Sequence, residues 1–380
     1  MAQAGLSGVI PTKSRSLGVD RPGHVPAGEL KEQVCSPRCL KNWGRTAATL
    51  RFSQVDCVGR FSGNTAFSDE TMSNAEYYPY RTAAARDLCF GYLDGLAAGL
   101  WPVVSEERMV PTTFGATFVR VSGPPAAPAL VLLHGAGTTS LMWSPNIEAL
   151  SREYRTVAVD QVGEFGKSVC TKPVRTLQDL IAWLDELIGA LEAPERVSLV
   201  GMSYGGALAA QYALHFPERL EKVVLLAPGA TVLRPPAEFW VRLIALGIAR
   251  RRGLRAFFRW IFADMARTDP QWIDSTIEQL SLNMVSIQRH KTPIPPVLTD
   301  AEWRSLRTPT LFLAGENEVI YSAEKAVRRL KRVAPQVTAQ IIPGAGHDLT
   351  FAQTATVNES ILRFLKEERA PSKPLEACAG

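Results

Sequence analysis

The stretch Val197-Ser198-Leu199-Val200-Gly201-Met202-Ser203-Tyr204-Gly205-Gly206, running on into Ala207 to Ala213, decides how this chain is read. Val197 to Val200 is a short apolar run of the kind that fills a buried strand, and the alanine-rich run after Gly206 has the composition of a helix. Between them, G-x-S-x-G makes a sharp, strained turn that lifts Ser203 off the end of the strand. Small residues are required there, because a Cβ at 201 or 205 would meet neighbouring backbone. A serine presented in this way is a candidate nucleophile.

The same texture extends in both directions. Thr117 to Ser122, Ala129 to Leu133, Thr156 to Val159, Val223 to Leu226, Thr310 to Leu313 and Ala339 to Ile342 read as further strands. Leu177 to Leu191, Gly205 to Phe216, Ala323 to Val333 and Val357 to Lys366 read as helices between or after them. Continuously apolar strands alternating with helices imply a mostly parallel sheet covered on both faces, so the expected fold class is α/β. One interval breaks the alternation. Thr231 to Arg304 has helical periodicity, five aromatic residues between Phe239 and Trp260, and no strand. It is expected to be a helical lid (231–304) over the carboxyl ends of the strands, with 72–230 and 305–380 forming the core. Residues 1–71 show no sustained period and are broken by Pro11, Pro22, Pro26 and Pro37, which reads as an irregular extension; Met72 offers an alternative start.

Composition narrows the function classes. The chain has 380 residues, 46% hydrophobic and 21% charged, enough apolar material for one large or two medium cores. It carries 42 basic and 37 acidic side chains, and residues 1–68 alone hold nine basic and four acidic ones, so residues 69–380 are neutral in sum. A general polyanion-binding surface, and with it nucleic acid, is disfavoured. The six cysteines follow no framework spacing, which points away from structural disulfides and towards a reducing, cytoplasmic location. Cys35 and Cys39 have no second Cys or His pair at ligand spacing, so no zinc site is expected. No run of about 18 apolar residues exists, so no stable membrane insertion is expected. The first residues lack the apolar core of a secretory signal and the amphipathic pattern of a transit peptide.

A serine nucleophile needs a base, and there are five histidines. His24 lies in the extension, His290 in the basic end of the helical interval, and His215 near the end of a helix, where it suits the dipole. His134 is expected to tie its own loop by a hydrogen bond. His347, in Pro343-Gly344-Ala345-Gly346-His347 after the last strand, can be presented across the top of the sheet and is the candidate base and acid. The third member should be a carboxylate on a loop after a strand and before His347. Glu316 and Glu318 both follow Thr310 to Leu313, with Asp348 a further contender. Glu318 is preferred because the loop must travel three residues beyond Gly315 before turning into the next helix. Asp348, adjacent to the histidine, should turn its carboxylate away from the ring. The loop after Val223 to Leu226, Ala227-Pro228-Gly229, supplies no carboxylate. An oxyanion would be held by two amides, Tyr204 after the serine and Ala136 in His134-Gly135-Ala136-Gly137.

Through HGAG, GMSYGG, GENEVIY and GAGH, in this order over about residues 107–369, the chain resembles the α/β-hydrolase superfamily. Within it, VPTTFGATFVRVSGPPAAPALVLLHGAG, AVDQVGEFGKS and GENEVIY are similar to a group of bacterial carboxylesterases. The resemblance implies the triad Ser203, Glu318 and His347, no cofactor, and a small-molecule ester as substrate. Two departures stand out: Asp160 to Ser168 carries one residue more than the common loop at that place, and Glu318 replaces the more usual aspartate. Among the lid aromatics, Trp240, Phe257 and Phe258 are candidates for an apolar acyl or alcohol pocket. The plainer expectation is that at least half of the five pack the lid's own interior. The arginines from Arg242 to Arg259 suggest an acidic substrate, a membrane surface or, more simply, a solvated helix face. The alternatives to ester hydrolysis are carbon–carbon bond or lactone hydrolysis on the same triad, and ligand binding without turnover.

Overall fold

The structure, a computed structural model, describes residues 78–191, 196–288 and 293–367, without the side chains of Arg250 and Arg251. His24, His290, Cys35, Cys39 and the extension 1–71 therefore lie outside the described residues. In chain order the elements are α1 (Ala83–Leu100), β1 (Glu106–Thr112), β2 (Gly115–Ser122), β3 (Ala129–Leu133), α2 (Ser144–Ser151), β4 (Arg155–Val159), β5 (Val169–Cys170), α3 (Leu177–Ala190) and β6 (Val197–Met202). There follow α4 (Tyr204–His215), β7 (Leu220–Leu226), α5 (Ala237–Ile261), α6 (Ala263–Thr268), α7 (Pro270–Ser286) and α8 (Asp300–Ser305). The chain continues with β8 (Thr310–Gly315), α9 (Ala323–Val333), β9 (Val337–Ile342), α10 (Leu349–Ala352) and α11 (Thr354–Lys366).

The strands form one sheet in the order β1-β2-β4-β3-β6-β7-β8-β9, with β5 paired to β2. From β4 to β9 every neighbour is parallel, while β2 runs antiparallel to β1, β4 and β5. Alternation along each strand divides the core in two. Val131 and Leu133 face one apolar layer and Leu130 and Leu132 the other; Val223 and Leu225 are likewise set against Val224 and Leu226. Both faces need cover, and helices supply it: α3 and α4 bury Trp183, Leu184, Leu208 and Tyr212 on one side, and α2 and α11 bury Ile147, Leu150, Ile361 and Phe364 on the other. β1 was not legible from the sequence because its residues are mostly exposed and it contains Pro111. As the end strand of the sheet it tolerates both.

The order places the site. The chain leaves β3 for β4 on one side and returns as β6 on the other, so the loops after β3 and β6 diverge at the same crevice, where open α/β sheets bind ligands. Those loops carry Ala136 and Ser203.

Among the described residues between β7 and β8 lie four helices and no strand. α5 is not one rod. In a straight helix Phe239 and Trp260 would be about 31 Å apart, yet their rings are 6.5 Å apart, and a Cβ at Gly253 would come within 2.7 Å of the Ala245 carbonyl. The chain doubles back between Ala245 and Gly253, and two helical arms pack side by side. Phe239, Phe257 and Trp260 fill the seam, with Arg242 over the Trp260 ring. Among the described residues no helix is long and apolar enough to cross a membrane.

Candidate active site

Ser203 sits between the end of β6 and the first residue of α4 with φ 51° and ψ −111°, a left-handed conformation that a non-glycine residue adopts only under constraint. The constraint is backbone crowding. A Cβ at Gly201 would lie 2.2 Å from the Gly205 carbonyl oxygen, and one at Gly205 would lie 2.4 Å from that of Leu133. The turn is pinned from below, since the Ser203 amide donates to the Leu226 carbonyl at 2.9 Å and the Ser203 carbonyl accepts from Gly229 N–H at 3.0 Å.

His347 Nε2 lies 2.9 Å from Ser203 Oγ, and its Nδ1 lies 2.9 Å from Glu318 Oε2. The second oxygen of Glu318 accepts from Ile320 N–H at 2.9 Å, which fixes the carboxylate in the plane it presents to the ring. The histidine loop is stitched to the loop after β8 by Glu316 N–H to Ile342 O at 2.9 Å and Asn317 N–H to Ala345 O at 2.8 Å. Gly315 permits this approach, since a Cβ there would be 2.2 Å from Ala345 O. Both side chains are shut away from solvent, while Ser203 itself is partly open.

The other two carboxylates are placed elsewhere. Glu316 is exposed and accepts from the Gly344 amide at 3.0 Å. Asp348 is fully buried and turns away from the imidazole to accept from Met265 N–H of α6 at 2.7 Å. Burial, reinforced by the charge of nearby Asp264, raises the Asp348 carboxyl to about 6. Asp264 is itself buried and ion-paired to Arg267.

His134 accepts Gln161 N–H on Nε2 at 3.0 Å, which leaves Nδ1 to donate to the Gly135 carbonyl at 2.8 Å; complete burial lowers its pKa and keeps the ring neutral. It holds the loop after β3 in place. There Gly135 packs against Ser203, and the amides on either side of Ala136 are engaged: Gly135 N–H donates to Met142 Sδ and Gly137 N–H to Glu164. Tyr204 N–H opens α4, among the four amides that a helix start leaves without an intrahelical partner. The longer loop from Asp160 to Ser168 closes on Asp160, whose two oxygens accept from Ser140 and Lys167 amides at 2.7 Å each. His215 is occupied with the Gln211 carbonyl at 2.8 Å.

The helical insertion meets this site at several points. Phe262, the single residue between α5 and α6, stacks on His347 with ring centroids 6.4 Å apart and planes 16° from parallel. Met265 N–H binds Asp348, and Asn283 of α7 donates to Gly137 O at 3.1 Å. Of the aromatics named from sequence, Phe258 reaches this group through Phe262 at 5.6 Å, Phe257 lies in the seam of the hairpin, and Trp240 is on the surface, 45% exposed, against Phe239. Phe262 escaped the sequence reading. Its one signal was its place four residues after Phe258, and periodicity within a helix does not say which turn faces a loop more than 80 residues away. Among the described residues no three His, Cys, Asp or Glu side chains cluster as metal ligands.

Comparison with known proteins agrees with this architecture. The chain is 36% identical over 280 residues to the uncharacterized carboxylesterase nap of Bacillus subtilis (strain 168), covering 72% of this chain and 91% of that protein. It is 34% identical to carboxylesterase YbfK of the same organism, covering 70% of this chain and 90% of that one. The crystal structure of naproxen esterase from Bacillus subtilis superimposes with a TM-score of 0.68 at 33% identity, covering 75% of this chain and 99% of that one. Residues 130–359 match the alpha/beta hydrolase family, and the chain belongs to it.

Proposed function

We propose that this protein hydrolyses carboxylic esters of small to medium, largely apolar molecules, with Ser203, His347 and Glu318 as its catalytic triad. The observation that carries the reading is the position of His347, 2.9 Å from Ser203 Oγ on one side and 2.9 Å from Glu318 on the other. The carboxylesterase names of the two Bacillus subtilis relatives support the substrate class.

In this mechanism Glu318 accepts a hydrogen bond from His347 Nδ1–H, which keeps the proton on Nδ1 and leaves the Nε2 lone pair facing the serine hydroxyl. As Oγ attacks the ester carbonyl, its proton moves to Nε2 and the carbonyl electron pair moves onto oxygen. The amides of Tyr204 and Ala136 meet that oxyanion, and one such donor contributes roughly 3 to 4 kcal/mol in the transition state. Collapse of the tetrahedral intermediate breaks the bond to the alkoxy group, which takes the Nε2 proton and departs as the alcohol. Water then gives its proton to Nε2 and attacks the acyl-enzyme, and the acid leaves as Ser203 is restored. The elbow holds Oγ in place before substrate arrives, so little reorganisation is needed at the moment of attack. The helical insertion acts as a lid, with Phe262 and Phe258 forming an apolar wall beside His347, while Trp240 and Phe257 hold the hairpin that carries them.

Hydrolysis of p-nitrophenyl esters of increasing acyl length, by the wild type and by Ser203→Ala, tests this reading. Turnover that vanishes in the variant supports it, and the chain-length profile sizes the acyl pocket. Absence of turnover on every ester overturns it.

A further inference from the structure

The first arm of the α5 hairpin is apolar on the side it shows to solvent. Trp240, Val241, Leu243, Ile244 and Ile248 all stand exposed on it. At about 100° per residue, Val241 and Ile244 project within about 60° of one another, and they and Ile248, where the reversal begins, are 65%, 63% and 77% exposed. The side turned towards the second arm is already supplied with Phe239 and Leu246, both packed against the core. A second apolar stripe facing water does nothing for the fold and marks a contact surface.

Charge identifies the contact. The turn between the arms reads Arg250-Arg251-Arg252, and Arg252 is exposed. α5 as a whole holds six arginines against one glutamate, within a stretch, residues 69–380, that has 33 basic and 33 acidic side chains. Among the described side chains Arg242 pairs with Glu238, and Arg255 and Arg259 share Asp274, so the arginines that the sequence adds in excess are the run Arg250-Arg251-Arg252, which follows the apolar stripe along the chain. A second copy of this chain is a poor partner, since symmetric pairing through the arm would bring two such surpluses together. An apolar stripe with a cationic end suits a bilayer whose headgroups are negative.

We infer that the first arm of α5 docks on the surface of anionic phospholipid bilayers, with Val241, Ile244 and Ile248 at the headgroup–acyl boundary and the arginine turn on the lipid phosphates. The attachment is peripheral, because the arm has only about three turns of helix. The second arm, which packs against the first, ends at Ile261, one residue before the Phe262 ring that stacks on His347.

Co-sedimentation of the full chain with vesicles of phosphatidylcholine alone, and of phosphatidylcholine with an equal share of phosphatidylglycerol, tests the inference. Binding to the anionic vesicles, released by high salt, is expected. Both the triple variant Val241→Ser/Ile244→Ser/Ile248→Ser and the triple variant Arg250→Ser/Arg251→Ser/Arg252→Ser should lower the partition coefficient by about tenfold or more. Unchanged circular dichroism in either variant shows that the fold survives, and the arginine variant serves if the apolar one fails to fold. No binding to anionic vesicles, equal binding to both kinds, or wild-type binding by a folded variant overturns the inference. A wild-type dimer that the apolar variant turns into a monomer also overturns it, by assigning the stripe to a second copy. Vesicle binding is read without turnover, so its failure leaves the ester reading standing, and the reverse holds as well.

Discussion

Phe262 lies nearly parallel to His347, its ring 6.4 Å from the imidazole and its plane tilted by 16°. The only described residue outside a helix between Ala237 and Thr268 is thus the one that covers the imidazole. On its far side Phe262 meets Trp272 at 5.6 Å, and Trp272 meets Phe351 at 4.7 Å, so the ring is held from behind. A flat apolar cover limits the rotation of the imidazole out of line with Ser203 and keeps water from one of its faces.

Truncating that cover should loosen the base without removing it. Phe262→Ala is expected to lower kcat/KM on p-nitrophenyl butyrate by about tenfold or more, mostly through kcat, because misplacement of a reacting group costs rate steeply. Phe262→Leu should recover most of the loss. Steady-state kinetics on the two variants checks this, and an unchanged kcat in Phe262→Ala would contradict a positioning role.

The two glutamates after β8 should separate cleanly. Ser203→Ala should lose on the order of a million-fold in kcat, and Glu318→Gln about ten-thousand-fold, because the amide cannot hold the productive tautomer of His347. Glu316→Gln should stay within about twofold, since its carboxylate is exposed and accepts from the Gly344 amide, away from His347. Equal losses in the two glutamate variants would show that the hydrogen bond to His347 does not carry the function.

Asp348 should make stability fall as pH rises. Its carboxyl titrates near 6 in the fold, against 3.8 in the unfolded chain, so between about pH 4 and 6 the native state holds a proton that the unfolded state has lost. Ionisation therefore favours unfolding, by up to about 3 kcal/mol once both states are charged. Asp348→Asn keeps an acceptor for Met265 N–H and removes the charge. Urea unfolding from pH 4 to 7 should show the variant gaining on the wild type as pH rises; a difference that stays flat across this range would contradict the assignment.

Two glycines should respond in opposite ways. Gly201→Ala puts a Cβ 2.2 Å from the Gly205 carbonyl oxygen, with backbone on both sides, and should cost more than about 3 kcal/mol or prevent folding. Gly91 lies in the interior of α1 with nothing within 4 Å of its Cβ position, so Gly91→Ala should raise stability by about 0.5 to 1 kcal/mol. Thermal melting of the two variants decides both.

Features that depend on neighbours along the chain are legible in the residues alone. The strand, the glycines and the helix around Ser203 are within ten residues of one another, so their steric demand is written locally. The apolar runs declare a two-faced parallel sheet for the same reason, because alternate side chains of one strand must fill two layers. The glycine-rich loop at His347 and the absence of a carboxylate after β7 were equally readable. Tertiary structure decided what depends on residues far apart. Loop length alone favoured Glu318 over Glu316, and the hydrogen bonds from the Glu316 and Asn317 amides to the histidine loop are what turn Glu318 inward and leave Glu316 in solvent. The aromatic run in α5 gave no sign that the helix reverses, since periodicity is the same in one long helix and in two short arms. Which ring covers His347, and which apolar face is left to water, followed from that reversal. Asp348 and Asp264, 84 positions apart, became buried neighbours only when α6 was laid against the histidine loop, where burial makes the charge of Asp348 costly.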